Sequence, residues 1–174
     1  MHRFELLLNY LSISELTIAG MLLLILFLLR QNHKANIFLS LFILSIAMPL
    51  ASILTFRAAR PAAEAVFFVS IAATSVSGSF IYIYIRFITG EIETFTKKEL
   101  LHFLTFPLFL TLLFAYKFTV PEHFDRRLPP FIAVTGTLSL LIPTVYIVFS
   151  FLKIRRYAAK VENWFSDTGR MSIN

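Results

Sequence analysis

The sequence predicts an all-α fold, a polytopic membrane bundle of five transmembrane helices with its N-terminus outside and its C-terminus in the cytoplasm. Three observations carry this. Of 174 residues, 57% are hydrophobic and only 15% are charged, where a water-soluble domain keeps about a quarter of its residues charged. The charges are bunched, and the apolar runs between them reach roughly 17–25 residues, enough for a helix to cross a hydrocarbon core about 30 Å thick. Lysine and arginine are shared unequally between alternate connections, which gives the bundle a direction. With a mean hydropathy of +0.76, the chain reads as an integral membrane protein.

The first span runs from Ser12 to Leu29 and ends at Arg30. Its apolar run is too long for a signal peptide, and no small-x-small cleavage site follows it. The second span is Ile37 to Phe56, the third Ala65 to Ile85, the fourth Leu101 to Phe118 and the fifth Phe131 to Leu152. Lipid offers backbone groups no partners, and these runs are too long and continuous for barrel strands, so each is expected to be a helix. Residues 1–152 then form the bundle, and residues 153–174 a basic connector on its cytoplasmic side.

Of the 16 Lys and Arg, ten fall in the connections after spans one, three and five, and six in the others. The positive-inside rule assigns the richer set to the cytoplasm. The net charge of +6 therefore reports topology before it suggests nucleic acid. There are no cysteines, which excludes disulfides and thiolate metal sites. All connections are short, so any ligand is met within the bundle, at its rim or through a partner protein. No internal repeat is visible.

Few residues inside the spans could carry chemistry. Glu15 lies about 22 Å from the Arg30 boundary, counting ~1.5 Å per residue. An ionised group at that depth faces a bundle or cavity and reads as a ligand contact or proton sensor. The plainer reading starts the helix late and leaves Glu15 at the headgroups. In the third span, Ser70, Thr74 and Ser77 share a face, with Gly78 beside them. Such faces make close helix contacts, and hydroxyls beside glycine can also line a small pocket. Pro49, Pro107 and Pro143 fall inside spans two, four and five and are expected to bend them.

The outer connection holds Glu122, His123, Asp125, Arg126 and Arg127, whose spacing matches no defined metal motif. It reads as a solvated loop of mutually neutralising charges. His102 opens the fourth span and suits an interfacial hydrogen bond. Tyr82, Tyr84 and Trp164 suit interfacial anchoring. No zinc-protease, nucleophile-elbow, P-loop or dinucleotide motif occurs, so neither enzyme activity nor a cofactor is expected.

Beyond Leu152, the residues Ile154, Tyr157, Ala158, Val161, Trp164 and Phe165 form one helical stripe, with Lys153, Arg155, Arg156 and Lys160 opposite. Span five is therefore expected to continue as an amphipathic helix until Ser166-Asp167-Thr168-Gly169 breaks it. This helix rests on anionic lipid or acts as a connecting rod, with Arg155, Arg156 and Trp164 the candidate signal-transmitting residues.

The stretches NHKANIFLSLFIL, IYIYIRFITGEIETFTKKELLHFLTF and KIRRYAAKVENWFSDTGRMSIN resemble bacterial membrane-anchored AraC-type transcriptional regulators. The resemblance covers most of residues 30–174. The family pattern His-Phe-x-Pro-Phe reads His102-Phe103-Leu104-Thr105-Phe106 here, with Pro107 two places late. In that family about seven membrane helices precede a cytoplasmic helix-turn-helix domain. The resemblance implies an N-terminal sensory and anchoring region in the bacterial inner membrane, whose DNA-binding domain lies beyond this chain. The candidate sensing residues are Glu15, Ser70, Thr74 and Ser77. Expected partners are the lipid bilayer, a second copy of the chain in a homodimer, an unidentified ligand or partner protein, and DNA only through the missing domain. Two other readings use the same bundle: the sensor of a histidine kinase, or a stand-alone membrane scaffold or transport protein.

Overall fold

A computed structural model describes the backbone of residues 2–29, 32–58, 60–119 and 130–171, and side chains within 10–29, 32–55, 63–119 and 130–163. The chain forms α1 (His2–Leu28), α2 (His33–Ala58), α3 (Arg60–Ile88), a 3₁₀ segment (Glu99–Phe103), α4 (Thr105–Thr119) and α5 (Pro130–Met171). No strand occurs among the described residues. Five helical stretches are long and apolar enough to cross a membrane: Tyr10–Leu28, His33–Thr55, Ala63–Ile88, Glu99–Thr119 and Pro130–Asn163. By length and composition the chain is a multi-pass membrane protein, with five such helices among the described residues.

The hub is α3. It packs against α2, α4 and α5, while α1 packs on α2. In the α3 span 56% of residues are buried inside the bundle, against 11% in α1. Composition explains the division. Lipid gives helices no hydrophobic reason to associate, so close packing of small residues does the work, and α3 concentrates Ala72, Ala73, Ser75, Ser77, Gly78 and Ser79 on its contact faces. Peripheral α1 turns Ile18, Met21, Leu24 and Phe27 outward, as a lipid-facing surface requires.

Phenylalanine fills the remaining space. At one end Phe68, Phe109, Leu113 and Ile132 form a buried cluster, Phe68 meets Phe114 edge-on at 5.7 Å, and Tyr116 stacks on Phe131 at 4.7 Å. The Lys117–Glu64 ion pair, at 2.7 Å, joins α4 to α3 at that end. At the other end Phe38 lies within 5.6 Å of Phe87 and 5.4 Å of Phe95, and Phe80 lies 5.0 Å from Phe103. Phe95 thereby pins the 89–98 connection onto the bundle.

Two left-handed residues set the turns at this second end. Asn32 (φ 54°) separates α1 from α2, a conformation asparagine tolerates, and the Asn36 side-chain amide donates to the Leu29 carbonyl at 3.2 Å. Gly90 (φ 70°) closes α3. Its N–H donates to the Phe87 carbonyl and that of Glu91 to the Arg86 carbonyl, the paired bonds of a Schellman cap. The cap folds Glu91 back over the last turn of its own helix.

Two expectations are corrected. Pro107 does not bend a helix that passes through it. A 3₁₀ turn precedes it and α4 starts at Thr105, so the proline occupies the first turn, where its missing donor costs nothing. No break occurs at residues 166–169, because α5 runs unbroken for 42 residues to Met171. One glycine costs about 1 kcal/mol in a helix, less than it takes to stop one already propagating. Tyr82 lies beside His102 and Tyr146. Glu122, His123, Asp125, Arg126 and Arg127 lie outside the described residues, as does the side chain of Trp164.

Candidate functional site

At Gly78, α3 and α5 are in close contact. A Cβ built there would lie 2.5 Å from the Pro143 Cα, 2.6 Å from its carbonyl oxygen and 2.7 Å from the Tyr146 Cβ. The glycine is thus a packing requirement, as the small-residue face of the third span suggests. Beside this contact a cavity of about 790 Å³ opens between α1, α2, α3 and α5. Glu15, Pro49, Thr74, Ser77, Pro143 and Thr144 lie on its otherwise apolar wall.

Three of the four candidate sensing residues, Glu15, Thr74 and Ser77, therefore meet at one cavity. Ser70 does not. It is buried and its hydroxyl donates to the Phe67 carbonyl at 2.7 Å. Sharing a helical face with Thr74 was insufficient, because the cavity covers only part of the length of α3.

The hydroxyl protons on this wall are already used. Thr74 donates to Ser70, Ser77 to Thr74 and Thr144 to Leu140, each to a backbone carbonyl at 2.8 Å. What remains toward the cavity is acceptor lone pairs, and Glu15 adds a carboxylate with no basic residue on the wall. Chemically, the cavity suits an apolar body carrying a hydrogen-bond donor or a cationic head. Among the described residues no three His, Asp or Glu side chains gather as a metal ligand set.

A second polar assembly, which sequence reasoning missed, sits at the end bearing the 89–98 connection. Arg86 Nη1 lies 3.1 Å from Glu99 Oε1, and Arg86 Nε lies 3.4 Å from Glu91 Oε2 without hydrogen-bond geometry. Lys153 of α5 donates to the same Glu91 carboxylate. That hydrogen bond is the main reason the Glu91 carboxyl is held below its ordinary range, with the charges of Lys153 and Arg86 assisting against partial burial. Beneath it, Ser79 donates to the His102 carbonyl at 2.7 Å, and His102 Nδ1 and the Tyr146 hydroxyl share a 2.9 Å hydrogen bond. The Tyr82 ring carries Arg86 at 5.8 Å and Lys153 at 5.5 Å.

This assembly joins α3, the 3₁₀ segment and α5 where α5 leaves the bundle. One signal for it was present in the sequence: three glutamates, Glu91, Glu93 and Glu99, and two lysines in one short connection, beside an arginine in the last turn of a span. Of the candidate connector residues, Arg156 turns toward this end of the bundle and lines a pocket with Lys153, whereas Arg155 is exposed on another face. No protein-family model, curated protein or solved structure matches the chain.

Proposed function

We propose that this chain is the membrane sensing and anchoring region of a bacterial signal-transducing transcriptional regulator of the AraC type. It would sit in the cytoplasmic membrane with its N-terminus outside. The observation that carries the reading is α5. This single helix lines the cavity at Leu140, Pro143, Thr144 and Ile147, passes the Glu91–Lys153 ion pair and runs on to Met171. From Pro143 to Met171 the helix spans about 42 Å at ~1.5 Å per residue, enough to carry a displacement from mid-membrane into water.

In the proposed mechanism, a lipid-soluble ligand with a donor or cationic group enters the cavity and engages Glu15, Thr74 and Ser77. The α3–α5 contact at Gly78 and Pro143 then repacks, and α5 transmits the shift to a cytosolic effector, with a homodimer as the output state. The lysine and arginine asymmetry supports this orientation, and the resemblance of residues 30–174 supports a helix-turn-helix effector. Reading the gene past codon 174 tests the class. Two further apolar runs followed by a helix-turn-helix domain are expected. A stop codon or a kinase domain would overturn it.

A further inference from the structure

A pocket of about 360 Å³ lies where α5 leaves the bundle, between α5 and the end of α3. From its lining we infer that it is a binding site for the phosphate headgroup of an anionic phospholipid. The site does not depend on what α5 transmits.

Arg86 and Lys153 are matched by Glu91 and Glu99 through the ion pairs described above. Two further bases on the pocket wall, Arg156 and Lys160, have no acidic partner among the described residues. The pocket therefore presents two uncompensated positive charges above a neutral network. Lys153, Arg156, Tyr157 and Lys160 recur at i, i+3, i+4 and i+7, one face of a helix, and that face lines the pocket, with Lys153 half-buried and the other three exposed at its rim.

The wall is divided by height. Phe149 and Leu152 line the side toward the membrane, at the end of the apolar run of α5, and the bases follow one to two turns later. An occupant must be apolar below and anionic above. That is the layout of a phospholipid at the junction of its acyl chains and headgroup, and basic pockets between helices hold such headgroups. A guanidinium and an ammonium four residues apart supply the charge-assisted donors that phosphate oxygens accept, and the Tyr157 hydroxyl supplies a neutral one. Free phosphate would gain the same charges but nothing from Phe149 and Leu152.

The test uses the full chain in phosphatidylcholine nanodiscs with and without phosphatidylglycerol, counting retained lipids by native mass spectrometry. One phosphatidylglycerol is expected to be retained in preference to phosphatidylcholine. Arg156→Gln should weaken that retention by roughly fivefold or more, while Arg155→Gln, with the same charge change one residue away, leaves it intact. Equal loss in the two variants would mean diffuse surface charge and would overturn the site. Displacement of the lipid by millimolar inorganic phosphate would make the occupant a soluble phosphate and overturn the assignment to lipid.

Discussion

Gly78→Ala probes the contact on which the bundle turns. The added methyl would start 2.5 Å from the Pro143 Cα and 2.6 Å from its oxygen. Ordinary carbon–carbon contact is about 3.5–4.0 Å, so α3 and α5 would have to part by ~1 Å along their closest approach. Two of the three obstructing atoms are backbone, and no rotamer change removes them. Overpacking of this kind costs about 1–3 kcal/mol, and alanine returns about 0.5–1 kcal/mol of that through helix propensity. The expected net loss is about 1–2 kcal/mol, read by thermal unfolding in bicelles. Gly20→Ala and Gly136→Ala serve as controls. A Cβ at either position meets nothing within 4 Å, so both variants should be neutral or more stable. If Gly78→Ala proved as stable as Gly136→Ala, the close approach of α3 to α5 would be refuted.

Three further outcomes follow from the polar end of the bundle. Glu99→Ala leaves the largely buried Arg86 guanidinium with only Glu91 nearby, 3.4 Å from its Nε, and should lower the unfolding midpoint by the equivalent of about 1–3 kcal/mol, whereas a paired Arg86→Leu/Glu99→Leu variant should recover most of the loss. The Glu91 carboxyl is held below its ordinary value of 4.5. Its contribution is therefore complete above that value and lost as pH falls through the lowered one. The protection of residues 89–98 from hydrogen exchange, relative to the intrinsic rate at each pH, should fall on acidification below about pH 4.5 in the wild type, and that dependence should be absent in Glu91→Gln. A double-mutant cycle of His102→Phe and Tyr146→Phe should return a coupling near 0.6 kcal/mol and below about 1.7 kcal/mol, the range for hydrogen bonds between membrane helices.

The fold was legible because lipid imposes simple demands. Apolar runs of the right length had to be helices: four of the spans fall within a few residues of where the runs place them, and the fifth starts as expected but reaches Asn163. Gly78 was legible as a packing residue, since serine and threonine around a glycine in a span permit close approach. The stripe from Ile154 to Phe165 was legible as a continuation of α5. The ion-pair assembly was not, because Glu91 and Lys153 are 62 residues apart and no local pattern pairs them. Pro107 misled because a proline within an apolar run looks the same whether a helix passes through it or starts just before it. The glycine of Ser166-Asp167-Thr168-Gly169 misled because local propensity is weaker than the cooperativity of a helix already formed.

The central claim is that movement between α3 and α5 carries the signal. The absence of cysteine makes one measurement direct: join Tyr82→Cys and Tyr146→Cys, whose parent rings lie 5.7 Å apart, with a reducible bifunctional thiol cross-linker, and compare host transcription before and after locking. Transcription should be frozen in one state by the lock and restored by reduction, with each single-cysteine variant unaffected. Transcription that responds to conditions equally well with α3 and α5 locked would contradict the account.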